Sequence, residues 1–173
     1  MDKYVSPPDS IYLVGFMGSG KSTIGPLLAQ RLGYRFVDLD SVIEQETGES
    51  IKEIFARHGE SYFRRLETDT LRKLLHSSKL VIALGGGTFV KEENRVLLKR
   101  TGTSVWLKVS LEEAERRCRQ EKQRPLARDK SQFEKLYKDR QAIYQSADIH
   151  IETDGKEPNC VCELILQKFR IVC

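Results

Sequence analysis

Eight consecutive residues, Gly15-Phe16-Met17-Gly18-Ser19-Gly20-Lys21-Ser22, fit the spacing G-x-x-x-x-G-K-[ST]. A loop of that composition curls backbone N–H groups around the β-phosphate of a nucleoside triphosphate, with Lys21 placed for the β/γ oxygens and Ser22 for a Mg²⁺ ion. The setting is the one such a loop needs. An apolar run at 11–14 precedes it, and Ile24, Leu27, Leu28, Arg31 and Leu32 follow at helical spacing until Gly33, a residue suited to ending a helix.

Further along stand residues that could act on whatever lies beside that nucleotide. Asp38-Leu39-Asp40 closes the second apolar run. Alternate residues of a strand point the same way, so both carboxylates are expected to face the crevice above the loop, one toward hydrated Mg²⁺ and one toward a substrate hydroxyl. The alternative is a helix cap with a surface neighbour. In Phe63-Arg64-Arg65-Leu66-Glu67, Arg64 and Glu67 share a helical face, so Glu67 can aim the guanidinium at an anion, or the two form an ordinary surface ion pair. Gly85-Gly86-Gly87 ends another apolar run, where one glycine would suffice for a turn; close approach of a polar ligand to bare backbone explains three. Arg124 lies in a basic segment before Pro125, where a loop arginine can stabilise charge on a transferring phosphoryl group. Arg140 is available to a substrate carboxylate.

The elements that must position these residues show as five strand-like runs, at 11–14, 36–39, 80–84, 104–109 and 149–153, separated by helical stretches. Such alternation predicts an α/β fold, a central five-stranded parallel sheet covered by helices on both faces in three layers. Ser50/Glu53, Ser110/Glu113 and Ser131/Glu134 have the spacing of capping boxes and mark three helix starts. The segments expected to move are the first nine residues and the stretch around Arg124-Pro125-Leu126.

At 173 residues the chain is expected to form one domain with its own core. No apolar run approaches a membrane span and no charged-then-apolar leader precedes the first strand, so no membrane association is expected and the cytoplasm is the expected location. The net charge of +4 is concentrated at 116–130, with seven basic residues against two acidic, and the remainder is nearly neutral. A basic patch confined to one segment beside a phosphate site suits polyphosphate handling, or is a solvated face; it argues against nucleic acid as a partner. Cys118, Cys160, Cys162 and Cys173 lack zinc-type spacing and read as reduced thiols, with metal binding by the C-x-C pair as the alternative.

Together and in this order, Gly15 to Thr23, Asp38-Leu-Asp40, Phe63-Arg-Arg-Leu-Glu67, Leu84-Gly-Gly-Gly87, Arg124-Pro-Leu126 and Arg140 with Tyr144 resemble the shikimate kinases, members of the nucleoside-monophosphate-kinase-like P-loop fold. The resemblance implies transfer of the γ-phosphoryl of ATP to the 3-hydroxyl of shikimate, on the route to chorismate and the aromatic amino acids. Carried over by position, Gly18, Ser19, Gly20, Lys21, Ser22 and Thr23 hold ATP, and Ser22 and, through water, Asp38 hold one Mg²⁺. Asp40 would bind shikimate hydroxyls and act as base. Arg64 and Arg140 would bind the shikimate carboxylate, with Gly85, Gly86 and Gly87 lining the same pocket and Phe55 and Phe63 against the ring. Arg124 would reach the transferring phosphate from a lid at about 119–130, which closes when both substrates are bound. Adenine would lie between Arg117 and the loop at Lys156, Glu157 and Pro158. A monomer is expected. Rival readings are a gluconate kinase of the same fold and a nucleotide-sensing module without turnover; the latter should lack Lys21, Asp40 or Arg124, and all are present.

Overall fold

The computed structural model describes residues 7–120 and 130–169. Residues 121–129 of the expected lid, with Arg124, and most of the expected mobile N-terminus lie outside the described residues, as does Cys173. Five strands, β1 (Ser10–Val14), β2 (Arg35–Asp38), β3 (Leu80–Ala83), β4 (Thr103–Lys108) and β5 (Ile149–Glu152), form one parallel sheet in the order β2-β3-β1-β4-β5. The helices are α1 (Lys21–Leu32), α2 (Leu39–Thr47), α3 (Ile51–His58), α4 (Glu60–Leu74), α5 (Glu92–Thr101), α6 (Leu111–Gln120), α7 (Lys130–Tyr144) and α8 (Pro158–Lys168), and a 3₁₀ turn spans Thr88–Val90.

The central strands are continuous apolar runs because helices cover both faces. Alternation along β1 divides the core: Ile11 and Leu13 pack with α1 and α8, through Ile24, Leu28, Val161 and Ile165. Tyr12 and Val14 face the other layer, through Leu39, Ile54, Phe63, Leu71 and Tyr144. Each fully buried aliphatic side chain contributes about 1.5–3 kcal/mol, so this alternation alone fixes which face each strand turns to each helical layer.

Strand order makes the crevice. The connection leaving β1 runs toward β2, whereas that leaving β3 crosses β1 to reach β4. Ligands of open α/β sheets bind outside the carboxyl ends of strands at such a reversal. In the register, Leu13, Ala83 and Asp38 stand side by side, so the phosphate loop, the glycine run and the acidic pair all leave the sheet at one level.

Three local expectations change. β2 stops at Asp38, whose side chain accepts a hydrogen bond from the Ser41 N–H (3.1 Å) and caps α2; Asp40 therefore sits in the first turn of a helix, not on the strand. The Ser50/Glu53 box is complete. At Ser110 only half forms: Ser110 accepts from the Glu113 N–H (3.2 Å), but its own N–H goes to Asp154 and the Glu113 carboxylate turns to Arg116 and Arg117. Ser131 falls inside α7, which begins at Lys130. Pro26 lies within α1.

Candidate active site

The phosphate loop owes its path to glycine. Gly18 (φ 78°) and Gly20 (φ 96°) occupy left-handed conformations, and Gly20 stands at the N-cap of α1, so the helix dipole and the first free N–H groups point into the loop. Lys21 Nζ donates to the Gly15 carbonyl at 2.8 Å and the Phe16 carbonyl at 3.2 Å, folded back over the loop that it serves. Ser19 is fully buried.

A cleft of about 660 Å³ opens over this loop, lined on one side by Gly18, Gly20, Lys21, Ser22 and Thr23 and on the other by Asp38, Asp40, Gly85, Gly86 and Arg140. A smaller recess of about 280 Å³, bounded by Ser19, Arg117, Lys156, Glu157 and Pro158, adjoins it and shares Gly18, Gly20 and Thr23 as walls. All the residues expected to meet ATP within the described chain thus line one or other of these two adjoining spaces. Arg117 is tied there: its Nη1 donates to the Gly18 carbonyl (2.9 Å) and its Nε to Glu113 (2.6 Å).

Asp40 is the most perturbed group of the cleft. Burial first, then the neighbouring charges of Asp38 and Glu67, raise its pKa to about 6, against the opposing pull of Lys21. Its Oδ1 is buried and has no hydrogen-bond partner among the described residues. A carboxylate that is ionised at neutral pH yet holds a proton more strongly than ordinary aspartate suits a general base.

Of the two expected arginines only Arg140 lines this cleft; Arg64 lies with Gly87 and Arg140 around a neighbouring pocket of about 410 Å³. Arg64 Nη1 donates to Glu67 Oε2 at 2.7 Å, and its Nε and Nη2 reach Glu60 at 3.3 and 3.2 Å. Burial works against the Arg64 charge, but Glu67 and Glu60 more than offset it and raise the pKa above that of free arginine. Glu67 itself is buried. Arg140 projects from α7, whose Tyr144 donates its hydroxyl to the Gly86 carbonyl at 2.8 Å.

These side chains account for the triple glycine. A Cβ on Gly85 would stand 2.9 Å from Asp40 Oδ1 and 3.0 Å from Glu67 Oε1. One on Gly86 would collide with the Arg140 guanidinium, and one on Gly87 with that of Arg64. The bare backbone thus admits the protein's own arginines, whereas the expectation from sequence was a ligand. Phe55 and Phe63 pack with their rings tilted by 44° (centroids 4.8 Å apart) beside Arg64, whose guanidinium carbon lies 5.4 Å from the Phe63 ring; at this end Ile51, and neither phenylalanine, lines the cleft. Sequence reasoning passed over Ser41, Glu44 and Ile51, which line the cleft, and assigned no role to Thr88 or Tyr144. No disulfide joins the three described cysteines, and with Cys160 exposed and Cys162 buried the C-x-C pair does not converge.

A phosphate loop at the head of a parallel sheet, facing a buried carboxylate and paired arginines, defines a P-loop small-molecule kinase. A family model described as "Shikimate kinase" matches residues 17–170. The chain belongs to the shikimate kinase family. It is 47% identical over 162 residues to a shikimate kinase of Persephonella marina, covering 93% of this chain and 99% of that one. Among solved structures it is similar to a shikimate kinase from Acinetobacter baumannii in complex with shikimate (TM-score 0.89, 37% identity, 96% and 95% of the two chains covered). A gluconokinase from Sinorhizobium meliloti shares the fold alone (TM-score 0.60, 17% identity, 94% and 92% covered).

Proposed function

We propose the following division of labour for the transfer of the ATP γ-phosphoryl group to shikimate. The loop N–H groups from Gly18 to Thr23 cradle the ATP phosphates, and Lys21 leaves the Gly15 and Phe16 carbonyls for the β/γ oxygens. Arg117 and the loop at Lys156, Glu157 and Pro158 flank the adenine. Arg64 and Arg140 pair with the shikimate carboxylate, and Gly85 to Gly87, by lacking side chains, let those guanidinium groups lie against the wall of the same pocket. That pairing turns the 3-hydroxyl toward Asp40, which accepts its proton as the oxygen takes the phosphoryl group and ADP leaves.

The residues present fit a Mg²⁺ ion. No cluster of three metal-binding side chains occurs among the described residues. Mg²⁺, which keeps most of its waters and binds substrate phosphates, needs only one or two protein oxygens. Ser22 would supply one directly and Asp38 another through water, its Oδ1 already serving as the cap of α2. When bound, the ion neutralises charge on the β- and γ-phosphates. Arg124, outside the described residues, is the proposed lid arginine. A monomer working in the cytoplasm belongs to the same reading.

The observation that carries this reading is the unpartnered Oδ1 of Asp40 facing the glycine run that receives both arginines. A coupled ADP-release assay with Mg·ATP tests it, using shikimate, gluconate and a panel of nucleoside monophosphates as acceptors. Turnover should require shikimate, and Asp40→Asn should lower kcat by about 10²–10⁴-fold with little change in the KM for ATP. Undiminished turnover in Asp40→Asn would remove the assigned base.

A further inference from the structure

Behind the arginines lies a polar relay that the reaction scheme has not used. Glu67 is buried, and both of its oxygens are engaged: Oε2 by Arg64 (2.7 Å) and Oε1 by the hydroxyl of Thr88 at 2.6 Å. Thr88 is wholly buried and opens the 3₁₀ turn that follows the glycine run. That turn is itself clamped from α5. Asn94 Nδ2 donates to the Thr88 carbonyl at 2.8 Å, while Arg95 Nη1 donates to the carbonyls of Phe89 (3.0 Å) and Val90 (2.6 Å). The Thr88 N–H closes back on the Gly85 carbonyl at 3.0 Å, so the hydroxyl is held in register with the glycines.

We propose that Thr88 is a positioning residue for substrate recognition: its hydroxyl fixes the Glu67 carboxylate, which in turn holds the Arg64 guanidinium against Gly87 to receive the carboxylate of shikimate. The physical argument is a competition between two glutamates. Arg64 is shared between buried Glu67 and Glu60, whose side chain is 68% exposed. A carboxylate held through one oxygen only can turn about its terminal torsion, and a buried oxygen stripped of its donor is costly. Without the Thr88 hydroxyl, Glu67 re-orients and Arg64 drifts toward Glu60 at the surface, away from the substrate. The relay joins α5, the 3₁₀ turn, α4 and the glycine run, so it transmits the placement of one strand-end loop to a guanidinium on another element.

The inference rests on the assignment of Arg64 to the shikimate carboxylate, and steady-state kinetics with both substrates varied separates the two. Thr88→Val keeps the shape and removes the donor. It should raise the KM for shikimate about tenfold, the size of one charge-assisted hydrogen bond, with the KM for ATP unchanged. Thr88→Ser should restore the wild-type value, a rescue that a purely packing role would not give. A wild-type KM for shikimate in Thr88→Val, while Arg64→Ala raises it, overturns the role of Thr88. So does a parallel rise in both KM values, or failure of Thr88→Ser to rescue. An unchanged KM in Arg64→Ala removes the assignment of Arg64 itself. Should Thr88→Val not fold, Thr88→Ala lacks the same donor and is read in the same way.

Discussion

Arg117 meets the phosphate loop through a single hydrogen bond to the Gly18 carbonyl, and Glu113 keeps it there. The hydrogen bond from Arg116, opposed by slight desolvation and reinforced by Arg117, holds the Glu113 carboxyl at about 2, well below ordinary glutamate. The folded protein therefore binds that proton less readily than the unfolded chain. The resulting stabilisation is complete above about pH 4.5, the ordinary glutamate value, and disappears as pH falls through about 2. Because Glu113 is partly exposed, the effect is small and salt-sensitive. Thermal melts from pH 6 to pH 2 should show wild type and Glu113→Gln converging at the acid end; a gap that persists at pH 2 would show that the pair does not act through charge. At this scale the strongest signals were local ones. The contacts of Lys21 and of the Arg64/Glu67 pair could be read because their partners lie within a few residues. Thr88 bonds a residue 21 positions away and Tyr144 one 58 positions away, and no local spacing encodes either contact.

The glycine run is an element whose shape is set by what must pass it. Gly86 and Gly87 have ordinary surroundings except for the arginine tips, which are flexible and can move aside. Gly86→Ala and Gly87→Ala should therefore fold with a melting temperature within a few degrees of wild type, yet raise the KM for shikimate by about tenfold or more as Arg140 or Arg64 is displaced. Loss of folding with substrate affinity intact would contradict this. The acidic pair shows the limit of reasoning from strand periodicity. Asp38 was readable both as a strand-end carboxylate facing the crevice and as a helix cap, and it caps α2 while lining the cleft; Asp40 reaches the cleft from the first turn of α2, so both carboxylates line it for a reason other than alternation. Likewise the Ser110/Glu113 spacing matched a capping box, but two arginines one turn on compete for the same carboxylate and win it.

Across the whole molecule, the alternation of strand-like runs with helical stretches was enough to anticipate a five-stranded parallel sheet; β1, β3 and β4 are buried along almost their whole length, while the edge strands β2 and β5 are partly exposed. The strand order, and with it the placement of three separate loops at one level, depends on pairings between strands distant in sequence. Since those loops meet only in the folded chain, ligands of the cleft should stabilise the molecule globally. Saturation at about 100 times Kd contributes about 2.7 kcal/mol, or roughly 5–10 °C in melting temperature for a chain of this size. Thermal shift assays should show separate gains from an ATP analogue and from shikimate, and Arg140→Ala should abolish only the second. Equal loss of both would mean that Arg140 supports the fold and not the acid. The same meeting of loops bears on drug resistance. An inhibitor seated against Gly86 and Gly87 would face a wall with almost no escape mutations, since every replacement of glycine adds a Cβ and the atoms that it evicts are those of Arg140 and Arg64. On the proposed pairing of those arginines with the shikimate carboxylate, a variant that repelled the drug there would also surrender its own substrate.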